Sequence, residues 1–270
     1  MDRRLTPANG RVAALHLAGT VGAERYLKGW SATVLRPVVD LCAAPDGPRD
    51  RQLLLGADVT VFEDCDGWSF VQAADGYVGY VLSDDLGEAA AATHFVASLA
   101  THAYQAEDFK SPDLMHLPFG ARVAVTDERR KFFETTVGFI PKKHLRPLDQ
   151  PMTDQVTVAQ LHFGVPYLWG GNSSLGIDCS GLVSAGLRAC GIACPADSDL
   201  QRDGLGRTFD GPYQRGDLIF WKGHVGMMVD AETLIHANAH HMAVAYEPIA
   251  AAITRIAAQG DGDVIAQKRL

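Results

Sequence analysis

The sequence predicts a multidomain chain in which two small β-barrels precede a mixed domain of helices and strands that carries the chemistry. Three observations lead there. The 270 residues exceed the usual single-domain size of roughly 100–200 residues. Two β-type segments repeat each other roughly 60 residues apart. Beyond them the proline-flanked connector Pro147-Leu148-Asp149-Gln150-Pro151 opens a region whose composition turns towards Gly, Trp and His.

Composition bounds the function. With 47% hydrophobic and 21% charged residues the chain can bury substantial cores, which excludes long disorder and collagen. Its 24 basic and 32 acidic residues leave a net charge of -8, which repels phosphate backbones and anionic lipid. Neither nucleic acid nor a membrane surface is an expected partner. Arg3 and Arg4 are followed by a stretch interrupted at Arg11 and His16, so no signal peptide is read. The Ala-rich stretch from Ala89 to Ala100 contains Thr93 and His94 and is shorter than the roughly 18–20 apolar residues that cross a bilayer. Five cysteines with no CxxC pair give neither a complete disulfide framework nor a four-thiolate zinc site. A cytoplasmic location is expected, with one thiol available for chemistry.

Residues 1–31 read as a leader packing on the barrels, with one short helical spacing at Val12, Leu15 and Ala18. The barrels themselves are expected over 32–88 and 92–148. Leu55-Gly56-Ala57-Asp58-Val59-Thr60-Val61 is echoed by Phe119-Gly120-Ala121-Arg122-Val123-Ala124-Val125, and Val78-Gly79-Tyr80-Val81 by Val137-Gly138-Phe139-Ile140. Each copy alternates apolar and polar residues between Gly-, Asp- and Pro-containing turns, the pattern of short antiparallel strands with one buried face. The glycine before an aromatic near the end of each copy resembles the bacterial SH3-like (SH3b) domain.

In the third region, 152–270, Pro166-Tyr167-Leu168-Trp169-Gly170-Gly171 leads into Gly176-Ile177-Asp178-Cys179-Ser180-Gly181-Leu182-Val183, and helix-compatible sequence then runs to Cys190. Asp178 is a natural N-cap and Gly191 a natural C′ residue. Cys179 then falls in the first helical turn, where backbone N–H groups and the macrodipole favour a thiolate and lower its pKa. The preceding glycines are expected to leave the thiol uncovered. Cys42, Cys65, Cys190 and Cys194 read as inert. A thiolate nucleophile needs a base, and the base an orienting partner. The β-prone runs 224–229 and 233–236 flank the turn Asp230-Ala231-Glu232. A hairpin centred on residue 230 sets His224 directly opposite His236, with Cβ atoms about 4.5–5.5 Å apart. The residues thus suggest a Cys–His–His triad. Trp169 and Trp221 read as packing walls before ligand contacts. His240 and His241, without acidic or cysteine partners at metal spacing, read as surface or hinge residues.

These residues, with Gly216-Asp217-Leu218-Ile219-Phe220-Trp221, His224-Val225-Gly226-Met227 and Leu234-Ile235-His236-Ala237, stand in the order and spacing of the NlpC/P60 cysteine peptidases, which the third region resembles. The resemblance implies an α+β, papain-like fold with Cys179 as nucleophile, His224 as general base and later acid, and His236 as orienting group. It also implies an oxyanion held by the backbone N–H of Cys179 and a nearby donor. The whole chain resembles a branch with two SH3b domains that cuts the γ-D-glutamyl to diamino acid bond of released peptidoglycan stem peptides. By that resemblance Asp178 and Tyr167 hold the free ammonium of an N-terminal L-alanine, Ser180 and Ser198 contact the peptide, and Trp169 and Tyr77 complete the substrate site. Asp178 reads equally as a helix cap alone, and the two roles are compatible. The acidic residue expected ahead of Gln52 is missing; Pro48-Arg49-Asp50-Arg51 offers only Asp50 in its place.

Three classes of function follow: a peptidase that recycles cell-wall peptides or acts on intact wall, a non-catalytic wall-binding protein, and an acyltransferase of related fold. The nucleophile, base and third histidine favour the first. Peptidoglycan-derived peptides are then the expected partner, and no cofactor or metal is expected.

Overall fold

The computed structural model describes residues 1–88 and 90–270; the first residue of the stretch Ala89–Ala100 lies outside the described residues. The chain forms two compact units, Met1–Leu148 and Asp149–Leu270, divided inside the proline-flanked connector.

In the first unit the leader departs from the helical expectation. Val12–Ala14 is a strand, paired in parallel with Arg25–Leu27, and Arg3–Leu5 and Leu15–Leu17 form short 3-10 turns. The reason is packing. Val12 and Ala14 enter one core with Phe62, Phe70 and Val78, and Leu17 and Leu27 close over it. A β-branched residue serves that strand better than a single isolated helical turn, which is costly to nucleate. Polar contacts fasten the same segment: Glu63 is reached by Arg11 Nη2 at 2.7 Å, Arg25 Nη2 at 3.1 Å and Asn9 Nδ2 at 3.1 Å.

The leader covers a seven-stranded antiparallel sheet built from Trp30–Val34, Val38–Cys42, Arg49–Leu54, Asp58–Cys65, Trp68–Ala73, Val78–Leu82 and Leu86–Gly87. Residues 94–147 repeat its strand order, with the counterpart of Asp58–Cys65 divided into Arg122–Val123 and Val125–Glu128. Each set ends on a 3-10 turn, Ser83–Asp85 or Lys142–His144, before its last strand. The two sets meet at Gly56, whose positive φ of 75° and lack of a side chain both matter: a Cβ there would stand 2.4 Å from the Arg122 carbonyl. Leu55 beside it packs into the second core with Val96, Leu117 and Ile140.

The second unit has a six-stranded antiparallel sheet in the order Arg207–Thr208, Ala266–Arg269, Leu218–Trp221, His224–Met228, Thr233–Asn238, Ala243–Pro248. Four helices accompany it: α1 (Gln155–Leu161), α2 (Cys179–Ala189), α3 (Ser198–Gly204) and α4 (Ile249–Ala258). α2 lies against α1 and against the strands that carry the two histidines. α4 packs Ile249, Ala252 and Ile256 over Ile219, Trp221, Met228 and Leu234. Among the described residues no helix is long and apolar enough to cross a membrane.

The clamp on the leader is testable. The three donors hold the Glu63 carboxyl below the usual carboxylate range, Arg11 foremost. The stability it contributes is therefore present above the unfolded carboxylate pKa and lost as pH falls through the folded one. Glu63→Ala should cost about 1–2 kcal/mol and speed proteolysis within residues 1–28 at neutral pH. Wild-type cleavage there should accelerate on acidification while the variant changes less. Equal protection in both proteins at pH 7 would show that packing alone holds the leader.

Candidate active site

The position of Cys179 is set by one helix start. Asp178 caps α2, its Oδ1 accepting from Gly181 N at 2.7 Å and Ser180 Oγ at 2.9 Å, and its Oδ2 from Gly170 N at 2.9 Å. The carboxylate thus ties the loop of Tyr167–Gly171 to the first helical turn. Glycine is required at that junction: a Cβ on Gly181 would lie 2.5 Å from both Asn172 Oδ1 and the Gly171 carbonyl. α2 ends at Ala189 with Cys190 as its C-cap, followed by Gly191 in the left-handed region at φ 73°, as the sequence pattern predicts.

Cys179 occupies the first position of α2, but its thiol is covered, with the residue 7% exposed. Sγ stands 4.0 Å from the Gly223 carbonyl and within reach of the N–H groups of Val225, Ser180 and Cys179 itself. It therefore lies against the strand on both sides of His224. Those amides favour a thiolate, as the sequence reading supposed, yet burial outweighs them and the Asp178 charge adds to burial. Together they push the thiol up to about 12. The expectation of an uncovered, lowered-pKa thiol is corrected on this point: desolvation exceeds the helix-terminal effect.

The histidines also meet by a different register. The turn is centred on Ala231, with Val229 N donating to the Thr233 carbonyl at 2.8 Å and Met227 opposite Ile235. Continuing that register sets Gly226, and not His224, opposite His236. Alternation keeps both histidines on one face, and they meet along the diagonal, His224 Nε2 lying 2.9 Å from His236 Nδ1. On the other side of His236, Ala245 is the direct partner and Glu247 the diagonal one, its Oε2 3.1 Å from His236 Nε2. Arg255 of α4 closes the chain, donating Nε to Glu247 Oε1 at 2.9 Å and Nη2 to Oε2 at 2.7 Å. Burial, assisted by the neighbouring His236 and Arg255 charges, lowers His224 to about 3. Burial foremost lowers His236 to about 4, against the raising influence of Glu247. Both imidazoles are neutral at neutral pH, and no hydrogen bond joins His224 to the thiol among the described residues.

The remaining sequence candidates fall into two groups. Tyr167 is half-buried and within electrostatic range of Cys179 and Asp178, and burial foremost raises its hydroxyl pKa. Ser180 is buried on the Asp178 carboxylate. Trp169, read as a packing wall, is instead 68% exposed, whereas Trp221 is buried with its ring 5.7 Å from that of His224. Ser198 opens α3. Tyr77 belongs to the first unit, 2% exposed with the Arg51 guanidinium 5.5 Å from its ring centroid. Asp50 is paired with Arg3 Nη1 at 2.8 Å. Glu247 and Arg255 were not foreseen; a glutamate two positions beyond the neighbour of His236 is visible only once the strand register is known. His236, His241 and Glu247 bring ligand atoms within 4.8 Å of one another and could hold a metal ion. Both Glu247 oxygens already serve Arg255, however, and that adjacent cation opposes a second one.

The buried neutral thiol has a kinetic signature. Inactivation of the free protein by iodoacetamide should rise about tenfold per pH unit between about pH 6 and about pH 9, following the thiolate fraction. A rate already flat across that range would reveal a preformed thiolate–imidazolium pair.

Residues 164–256 match the NlpC/P60 family, and residues 41–86 match the bacterial dipeptidyl-peptidase SH3 domain. Over 238 residues, 77% of this chain and 88% of the relative, the sequence is 25% identical to dipeptidyl-peptidase 6 of Lysinibacillus sphaericus. It is 33% identical to a gamma-D-glutamyl-L-lysine dipeptidyl-peptidase of Bacillus cereus over 105 residues, which is 36% of this chain and spans only 31% of that protein. The crystal structure of an NlpC/P60 family protein from Bacillus cereus ATCC 10987 has the same fold, with a TM-score of 0.76 at 21% identity over 89% of this chain and 99% of that one. Residues 164–256 thus form an NlpC/P60 domain, preceded by a bacterial SH3 domain over 41–86.

Proposed function

We propose that the protein is a cysteine endopeptidase that hydrolyses the γ-D-glutamyl to diamino acid bond of peptidoglycan stem peptides bearing a free N-terminal L-alanine, in the recycling of cell-wall peptides. The observation that carries this is the thiol of Cys179 set against the strand of His224, whose ring is bonded onward to His236. With His224 Nε2 engaged by His236, Nδ1 is the nitrogen left to act as base. It takes the Sγ proton as sulfur attacks the glutamyl γ-carbonyl carbon, and the carbonyl electron pair moves to oxygen, where the Cys179 N–H and a neighbouring donor receive it. The intermediate then breaks its C–N bond. The amine departs with the proton from His224, leaving a thioester, which water cleaves with His224 again acting first as base and then as acid.

The free amine is the reading's finer part, and Asp178 supports it. Its carboxylate is half-buried with its pKa raised, desolvation being the main cause, although three donors already serve it. A carboxylate in that state gains from an incoming cation. The same cation would offset the charge that helps to hold the Cys179 thiol protonated, linking substrate capture to nucleophile activation. Tyr167 stands beside both groups, and Ser180, Ser198 and Trp169 are read as further peptide contacts. Tyr77 enters only by resemblance, and Asp50 is already neutralised by Arg3, so the anchor is assigned to the catalytic unit. The repeated strand order of 94–147 leads us to read a second SH3b domain over 92–148 beside the first at 32–88.

Incubation with L-Ala-γ-D-Glu-meso-diaminopimelate should release L-Ala-γ-D-Glu, detected by mass. Cys179→Ala and His224→Ala should each lose at least about 10³-fold in kcat, and His236→Ala distinctly less, since it removes orientation and leaves the proton acceptor. Turnover retained by purified Cys179→Ala protein would end the peptidase reading. N-acetylating the substrate alanine should lower kcat/KM by an amount corresponding to about 2–5 kcal/mol, because the Asp178 charge is left without a countercation. Equal rates on free and acetylated peptide would remove the specificity claim and leave the Cys–His–His chemistry standing.

A further inference from the structure

His236 is 0% exposed, and each of its ring nitrogens faces a single hydrogen-bonding partner: His224 Nε2 at 2.9 Å and Glu247 Oε2 at 3.1 Å. Glu247 in turn receives two guanidinium N–H groups of Arg255, one on each oxygen. We propose that Glu247 is a positioning residue that fixes the tautomers of both imidazoles, so that the lone pair of His224 is held on Nδ1, and that Arg255 keeps Glu247 in its ionised, acceptor-only form.

The direction of every hydrogen bond follows from the last one. A carboxylate between two guanidinium donors has no proton to give. His236 Nε2 must therefore carry the hydrogen of the bond to Glu247. A neutral imidazole has one N–H, so His236 Nδ1 is bare and accepts. His224 Nε2, 2.9 Å away, must then be the donor, which leaves its own Nδ1 unprotonated. The opposite assignment would turn two lone pairs towards each other between His236 and Glu247 in a site without solvent. A glutamate that touches neither substrate nor thiol thus decides which nitrogen of the base is basic. The charged groups facing the pair are Glu247 from the strand Ala243–Pro248, Arg255 from α4, and His241 from the turn before that strand, with Asp261 acting on Arg255. The Arg255 cation opposes protonation of both rings and Glu247 favours it, so their pairing also keeps the resting histidines neutral.

The inference rests on the peptidase reading only for its catalytic consequence. Long-range ¹H–¹⁵N correlation NMR of the free wild-type protein near neutral pH should show His224 and His236 both as Nε2–H tautomers. Either ring as Nδ1–H overturns the proposal whatever the protein's activity. Glu247→Gln gives His236 Nε2 an amide donor and should convert both rings to Nδ1–H. On L-Ala-γ-D-Glu-meso-diaminopimelate, kcat should then fall by about 10²–10⁴-fold with KM changed less than about threefold. A loss of kcat with both tautomers unchanged would make Glu247 merely structural and overturn the proposal. Arg255→Met leaves the Glu247 charge uncompensated, raises the proton affinity of both imidazoles and should move the acid limb of kcat/KM to higher pH. An unmoved limb would refute the role given to Arg255. Absence of turnover in wild type, with both Nε2–H tautomers present, would fail the substrate reading and leave the tautomer assignment intact.

Discussion

A histidine buried in the middle of a sheet must find partners for two ring nitrogens without water, and the second unit is organised around that requirement at His236. The strands on either side each supply one partner along a diagonal, His224 and Glu247. Directly beside the imidazole stand the small residues Gly226, by continuation of the hairpin register, and Ala245. Glu247 brings its own demand, since a buried carboxylate needs a cation. Arg255 answers it from α4, so the helix that covers Trp221, Leu234 and Met228 is tied to the polar chain as well as to the core. The position of α4 and the aim of His224 are parts of one hydrogen-bonded arrangement.

At the other end of the site the same economy places two duties on Asp178. It caps α2 and binds the glycine loop to it, which fixes the thiol's location. Its charge also opposes ionisation of that thiol. The helix-terminal amides pull the other way, and burial decides the outcome in favour of the neutral form.

Much of this was readable in the sequence because it is local. Asp178 and Gly191 bracket α2 by capping chemistry that a single chain shows directly. The alternation around Gly56 and Gly120 marks two sets of short strands, and the prolines at 147 and 151 mark the division between the units. What depends on register or on distant packing was not readable. Moving the hairpin centre from Asp230 to Ala231 changes the partner of His236 while leaving the alternation, and hence the shared face, intact. Val12 and Leu15 carry a helical spacing, yet the core formed by Phe62, Phe70 and Val78 selects a strand. Glu247 and Arg255 have no local signature at all; only the fold brings them to His236. The thiol's burial likewise comes from the strand around Gly223 and Val225, more than 40 residues beyond it in sequence.

The covered, protonated thiol also bears on survival of the protein between turnovers. Peroxide and other electrophiles attack thiolates, and accessible ones most readily, so sulfenic and sulfinic acid formation is slow at a cysteine held in this state. Cys65 and Cys190, both less buried, are the more accessible sulfurs. The arrangement that makes Cys179 a poor acid at rest thus lets oxidants meet Cys65 and Cys190 before they reach the thiol at the start of α2.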